Sequence, residues 1–593
     1  MNTMRGYVGL RLRYRRGRTA RPPGGWIDTL RLRPLAMVST VEDGHVTLMG
    51  YRWDLTDPAV WGFSPDTGRT WPKRYYRRYN LADDAAGDTK LVWELGRLQF
   101  VPGLLAHDPA AGERVLESYL DDDRPFATIQ WYSEMELGIR LISLCYCAMV
   151  FEGDHPLRKR ALDHADRLYR FLGDHLTTWW AVRNNHVLVE VAALLTYEML
   201  AGGRFLRHAE HWRILLSEVD AQVYPDGGIR EQSTFYTRFV LDALLLLWVL
   251  SDLTGSDVPD RLRAVCERML RYLADIRAPD GRWPQIGDAD DGRAIPATCG
   301  RAVDDFGGHL ALGAVLCNRS DFKAVAGLWD NDFACLLPPS YAERFEALPG
   351  GHSSEGGKLY RSSGWWVWRR GGDYLLMRAG EFGLGGQGYA PHSHCDELSV
   401  VLHLGGRAIL VDGGTCTYDP GRGPWRRIFR SNEAHNILDL DGGWQAELLP
   451  HGNFSWGRVP KARFEDASDH EATAIFTDYD GRYRWRRSVI AQPGCVVLTD
   501  AIIPADSETH TVRWRFNFAP DVEVDIAGAA ATGLTGDVRF RLEASGLPDG
   551  AAWERVEGYY SERYNHRTAI ASLVVTATVH EACEVQWTIR CTS

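Results

Sequence analysis

ALPGGHSSEGG, residues 347–357, divides the chain into two kinds of text. Its glycines, serines and single proline supply turns and no apolar face, so neither a helix nor a strand runs through it. Upstream, from about Asp88 to residue 336, long apolar runs follow one another: LVWELGRLQFVPGLLA (91–106), WYSEMELGIRLISLCYCAMVF (131–151), NNHVLVEVAALLTYEML (184–200) and RFVLDALLLLWVLSDL (238–253). Asp, Gly and Pro punctuate them, and successive helical hairpins of this kind imply a bundle or toroid. Downstream the period drops to two, and GWWVWRR (364–370), DYLLMRAG (373–380), LSVVLHL (398–404), RWRRSVIAQ (484–492), CVVLTDAII (495–503) and SLVVTATV (572–579) read as antiparallel strands. No βαβ alternation and no glycine-rich strand-to-helix turn occur, which argues against a nucleotide fold. The chain is therefore read as α+β multidomain: an N-terminal segment over 1–70 with HVTLMGYRW (45–53) as strand, a helical domain over 71–340, and an antiparallel β domain over 355–593.

The 593 residues carry a formal charge of -11 and 45% apolar side chains. That is enough for more than one core and the wrong sign for a general nucleic-acid binder. Of 67 basic residues only six are lysine, so the positive surface consists of arginine forks suited to carboxylates and sulfates; biased codon usage gives the same count. Eleven cysteines without repeated CxxC pairs point to reduced, mostly buried thiols. MNTMRGYVGLRLRYRRGRTARPP (1–23) has arginines where a signal peptide needs an apolar run, and no later run reads as a membrane span, so a cytoplasmic location is expected.

Chemistry concentrates in four places. Asn184, Asn185 and His186 open an apolar helix, where amide and imidazole donors and the helix dipole favour a carboxylate; the same tripeptide also reads as an ordinary N-cap. In YPDGGIREQSTFYTRF (224–239), Glu231, Tyr236 and Arg238 cluster at the start of another helix. A phenol beside a cation can act as a base, and an amphipathic aromatic packing on a neighbouring helix fits equally. PHSHCDELSVVLHLGGRAILVDGGTCTY (391–418) reads as a hairpin that returns Asp412 to the side of His392, His394 and Asp396, and His435 follows in FRSNEAHNILDLDGG (429–443). These are zinc-ligand types, with metal-free surface histidines as the alternative. Trp131, Glu134, Glu136 and Arg140, with Trp93, Glu94 and Arg97, fall three or four apart on two helices and can line a sugar groove or form salt bridges and core.

Taken in order, DTKLVWELGRLQF, WYSEMELGIRLISL, NNHVLVEVAALL, DGGIREQSTFY, PQIGDADDGRAI, HSHCDELSVVLHLGGRAILVDGG and FRSNEAHNILDLDGG resemble the successive motifs of the heparinase II/III family of polysaccharide lyases, over roughly residues 88–590. The resemblance implies an incomplete (α/α) toroid followed by a β-sandwich, the active site between them, and a structural Zn2+ in the β domain. Residue by residue, it implies Asn185 and His186 as the pair that neutralises a uronate carboxylate, Tyr236 as proton donor and base, His392 as its partner in proton transfer, and His394, Asp412 and His435 as zinc ligands. Trp131, Glu136, Arg140, Asn184, Glu231 and Arg238 are then substrate-binding candidates. Such a site removes the C5 hydrogen of a uronate in an acidic polysaccharide, stabilises the enolate-like charge, and protonates the departing C4 oxygen.

Two features depart from the family pattern. The tyrosine that should follow the zinc-binding aspartate is best matched by Tyr418, and the His186-to-Tyr236 spacing of 50 is short. Two alternatives stay open: a glycoside hydrolase using Asp288, Asp290 or Asp291 of GDADDG, and a noncatalytic glycan-binding or biosynthesis accessory protein.

Overall fold

The computed structural model describes residues 32, 41–81, 86–177, 183–202, 205–296, 301–352, 354–384, 390–449 and 452–592. The arginine-rich segment 1–23 lies outside the described residues. A small three-stranded antiparallel sheet (Val41–Glu42, His45–Leu48, Tyr51–Asp54) leads into the helices, and its Val46 and Trp53 are buried in the helical core.

The helices are α1 (Thr89–Gly96), α2 (Val101–His107), α3 (Pro109–Asp122), α4 (Glu134–Val150), α5 (Pro156–Asp174), α6 (Asn185–Ala201), α7 (His208–Gln222), α8 (Thr234–Thr254), α9 (Asp260–Ile276), α10 (Gly307–Cys317), α11 (Ser320–Ala326) and α12 (Pro339–Ala347). Short polar residues start the ones that matter for the site. Asp88 accepts from the Lys90 backbone N–H at 2.9 Å, Asn184 from His186 at 3.2 Å, and Ser233 from Tyr236 at 3.0 Å, each satisfying a helix-end donor. α4, α6 and α8 are apolar almost all round because other helices cover them on every side. α8 is, contrary to the sequence reading, long and apolar enough to cross a membrane by length and composition, but that stretch is wholly buried inside the fold.

After Ala347 the chain becomes antiparallel sheet. The first sheet has five strands, ordered Arg407–Leu410, Val400–Leu404, Asp373–Arg378, Trp365–Arg370, Gly356–Tyr360. Successive side chains of a strand point to opposite faces, and here both faces are covered. Trp365, Val367, Tyr374, Leu376 and Val401 join the helical core, whereas Trp366, Trp368, Leu375, Met377, Val400 and Leu402 join the core of the β domain. An eight-stranded sheet (461–467 through 523–526, with 583–592 inserted beside 495–504) and a four-stranded sheet (438–440, 510–517, 568–579, 552–560) complete that domain. A short helix, α13 (Trp425–Arg430), lies between the sheets' strands in sequence. All the described cysteines are free, and six are buried.

One buried carboxyl ties the start of α6 to the chain before it. Glu190 is fully buried and accepts from the Thr177 N–H at 2.7 Å and from its hydroxyl. Burial pushes its pKa up from 4.5 to about 8, against the Thr177 hydrogen bonds. The folded state thus holds a proton that the unfolded chain has lost, and stability declines as pH rises from about 4.5 through about 8. Urea unfolding at pH 5 and pH 8 should show a smaller loss on raising the pH in Glu190→Gln than in the parent; an equal loss would contradict this origin.

Candidate active site between the helical and β domains

Three segments from the helical side and two loops from the β side meet at one point. The turn before α8 carries Glu231, and Gln232 there adopts φ +54°, held by a bond from the Trp365 indole at 3.2 Å and by its own donation to the Ser363 carbonyl at 3.2 Å. Tyr236 follows on the first turn of α8. The loop GDADDG runs beneath, and Gly287 (φ +68°) passes so close that a Cβ would lie 2.5 Å from the Gln232 carbonyl and 2.7 Å from that of His392. Only glycine lets these backbones close up. The Asp288 N–H then donates to the His392 carbonyl at 3.0 Å, joining the two domains at the HxH loop.

In the centre, the His392 imidazole lies flat on the Tyr236 ring, centroids 3.7 Å apart and 16° between planes. The Tyr236 hydroxyl is 3.2 Å from the Tyr418 hydroxyl and donates to Asp290 at 3.2 Å. His392 Nδ1 faces Asp288 at 3.0 Å and Nε2 faces Glu231 at 3.1 Å, so each ring nitrogen carries or shares a proton with a carboxylate. Phe454 packs edge-on to both His392 and Tyr418.

Burial, with Asp290 beside it, pushes the Tyr236 phenol well above its ordinary range, and burial with Tyr236 beside it does the same to Tyr418. Both stay protonated. Burial would raise Asp290 too, but Lys90, 3.2 Å away, and Arg97 outweigh it and hold that carboxyl down. Asp288 is held far down despite burial by Arg426, which forks onto it, and by His392 and His394. Glu231 moves the other way: burial raises it against His392 and Asn185. Burial pushes His186 down to about 4.

The chain's sequence matches the heparinase II/III N-terminus profile over residues 119–304 and the heparinase II/III-like C-terminal profile over 352–588. It belongs to the heparinase II/III family. Solved structures of similar fold include heparinase III (15% identity, 99% of this chain and 89% of that one, TM-score 0.68) and a mutant of heparan sulfate lyase HepC from Pedobacter heparinus (16%, 99% and 88%, 0.61). Chondroitin AC lyase of Streptomyces coelicolor A3, in complex with chondroitin sulphate, is also similar (14%, 99% and 83%, TM-score 0.53). No curated protein matches the sequence.

Within this heparinase II/III architecture several expected substrate contacts turn inward. Trp131 is fully buried and its indole donates to Asp123 at 2.9 Å. Arg140, also fully buried, spends its guanidinium on the Gly96 and Gln130 carbonyls and the Gln130 side chain. Glu136 is closed off by a two-point bond with Arg97 at 2.6 and 2.8 Å. Arg238 lies over the Phe235 ring and donates to the Gly292 carbonyl at 2.9 Å. The face of α4 that carries Glu136 and Arg140 packs on the C-terminal end of α1 through Arg97 and Gly96. Asn184 is a cap, and Asn185, fully buried, gives its side-chain amide to both oxygens of Glu231 at 3.1 and 2.8 Å; it positions Glu231 and does not face open space. His186 is the partly exposed member of that helix start. Trp93 of α1 and Tyr132, just before α4, stack on each other and stay partly exposed.

Lys90, Arg426, Phe454 and Tyr564 had no signal in the sequence reading, because each reaches the site through long-range contacts. Asp288, Asp290 and Asp291, candidates for hydrolytic carboxylates, are all committed: Asp288 to Arg426 and two histidines, Asp290 to Lys90 and Tyr236, Asp291 to the Tyr564 N–H at 3.1 Å.

His394, Asp412 and His435 are buried, and one ligand atom from each lies within 4.8 Å of the others. His394 Nε2 bonds Asp288 at 2.8 Å and His435 Nδ1 bonds Asp412 at 2.8 Å, which leaves His394 Nδ1 and His435 Nε2 buried without a partner. Two free imidazole nitrogens and a carboxylate, with the Asp288 carboxylate orienting one ring from outside, fit a metal ion. Asp288 therefore serves both clusters. Asp288→Ala should lower stability by about 3–5 kcal/mol in urea unfolding, since it strands the buried Arg426 charge; a loss under about 1 kcal/mol would contradict its role as the hub.

Proposed function

We propose that this chain is a polysaccharide lyase that cleaves a uronate-containing glycan, of the glycosaminoglycan, alginate or bacterial exopolysaccharide kind, by β-elimination. The observation that carries the reading is the contact of Tyr236 from the helical domain with His392 and Tyr418 from the β domain. The architecture is read as an incomplete (α/α) toroid against a β-sandwich, which places that contact in the cleft between them.

Each group has a task set by its surroundings. Tyr236 keeps its proton and donates it to the departing C4 oxygen; Tyr418, hydrogen-bonded to it, orients that hydroxyl. His392, stacked on Tyr236, takes the C5 hydrogen, and the positive charge this puts on its ring is balanced by Asp288 and Glu231. His186, neutral at pH 7, offers an N–H to the uronate carboxylate as enolate charge develops on it. Asn185 acts through Glu231. No water enters the product. The relatives named above, a heparinase, a heparan sulfate lyase and a chondroitin lyase, support uronate-bearing glycosaminoglycans as the first substrates to try.

The metal at His394, Asp412 and His435 is read as structural Zn2+. It would fix the HxH loop and leave the sugar untouched, because His394, Asp412 and His435 are all buried, with Asp288 bracing His394 from outside. Metal analysis of the purified chain should find about one zinc per chain, absent in His435→Ala; a chain free of zinc under zinc-replete expression would contradict this.

Incubation with a panel of defined uronides should release an ultraviolet-absorbing unsaturated uronide. Tyr236→Phe should reduce the rate by at least about a hundredfold, the scale of a lost general acid. Activity surviving intact in Tyr236→Phe would remove Tyr236 from the reaction.

A further inference from the structure

Tyr564 lies near the end of the chain, yet it touches three of the segments around the phenol pair: the Tyr418 loop, the start of α1 and the GDADDG loop. Its hydroxyl accepts from the Tyr418 backbone N–H at 2.7 Å and donates to Asp88 at 3.0 Å. Its ring packs edge-on to Tyr418, centroids 5.3 Å apart, and its own N–H is taken by Asp291. The surrounding chain is laced to the loop that carries Tyr418: the Ser561 N–H donates to the Gly413 carbonyl at 2.9 Å and the Asn565 N–H to that of Cys416 at 2.7 Å. Asp88 in turn caps α1, whose Lys90 meets Asp290, the acceptor for Tyr236. The contacts close a ring: Tyr564, Asp88, α1, Lys90, Asp290, Tyr236, Tyr418 and back.

We propose that Tyr564 is a positioning residue that holds Tyr418 against Tyr236 by locking the Tyr418 backbone to the N-terminus of α1. It touches no reacting atom; its importance for turnover rests on the lyase reading, while its hold on Tyr418 does not. The hydroxyl is the part that matters, because phenylalanine would keep the ring packing and lose both bonds. Asp88 is buried, which pushes its carboxyl up to about 6, so loss of the phenol leaves a buried acceptor short of a donor.

Two measurements on the full chain test this. Peptide-level hydrogen exchange needs no substrate: in Tyr564→Phe the segment containing Tyr418 should exchange about tenfold faster or more, since its amide loses its acceptor. With a uronide that the parent cleaves, kcat should fall about tenfold to a hundredfold with KM within about twofold, the signature of misplaced groups. Asp88→Ala should do the same, and the double variant should fall no further than the worse single one. Unchanged exchange at Tyr418 overturns the proposal whatever the activity, and so do losses that multiply in the double variant or a rise in KM alone. Should Tyr564→Phe fail to fold, Asp88→Ala carries the exchange test: the Tyr564 hydroxyl loses the acceptor that fixes its place under the Tyr418 N–H, so exchange at Tyr418 should still rise, and unchanged exchange overturns the proposal. Faster exchange in a chain whose parent cleaves no uronide would sink the lyase reading and leave the hold on Tyr418 standing.

Discussion

The strand Trp365–Arg370 buries tryptophans on both faces: Trp365 with Val367 toward the helices, Trp366 and Trp368 toward the β domain. A sheet covered on both sides makes two cores share one wall, and sliding that wall would expose large aromatic surface to water. This fixed docking matters because the groups of the candidate site come from both sides. Tyr236 belongs to the helical domain, His392 and Tyr418 to the β domain, and a ring contact of 3.7 Å tolerates little relative motion.

The buried polar groups beside that wall are linked to one another. Tyr236 meets Tyr418 and Asp290, and His392 meets Asp288 and Glu231. Those carboxylates in turn meet Arg426, Lys90 and the amide of Asn185. A buried carboxylate without a partner is costly, so each of these cations or donors is a condition for the carboxylate it meets. Asp288 then places the His394 proton on Nε2, whereas His392 meets a carboxylate at each nitrogen. In this way the His394, Asp412 and His435 triad and the phenol pair are joined through Asp288, which bonds both histidines of the HxH segment.

The change of period at ALPGGHSSEGG made the helix-to-sheet order legible, because apolar spacing is a local property that burial imposes directly. The return of Asp412 to the side of His394 was legible for a similar reason, since a short hairpin comes back to its start, and the resemblance added His435. What misled was the direction of helix faces. The spacing of Trp131, Glu136 and Arg140 shows that they share a face, but not whether it looks into a groove or onto a neighbouring helix, and Glu136 meets Arg97 from across the packing. Asn185 sits at a helix start as expected of an anion-binding amide, and yet its partner is the chain's own Glu231. Contacts such as Tyr564 with Asp88, 476 positions apart, leave no trace in a periodic pattern.

The account stands or falls on elimination without water. Mass spectrometry of the products from a defined uronide oligosaccharide, cleaved in water enriched in oxygen-18, tests this directly. The account predicts that the two products together weigh what the substrate weighed and carry no label. A labelled, saturated product at the new reducing end would show hydrolysis, and the chemistry assigned to Tyr236 and His392 would be wrong.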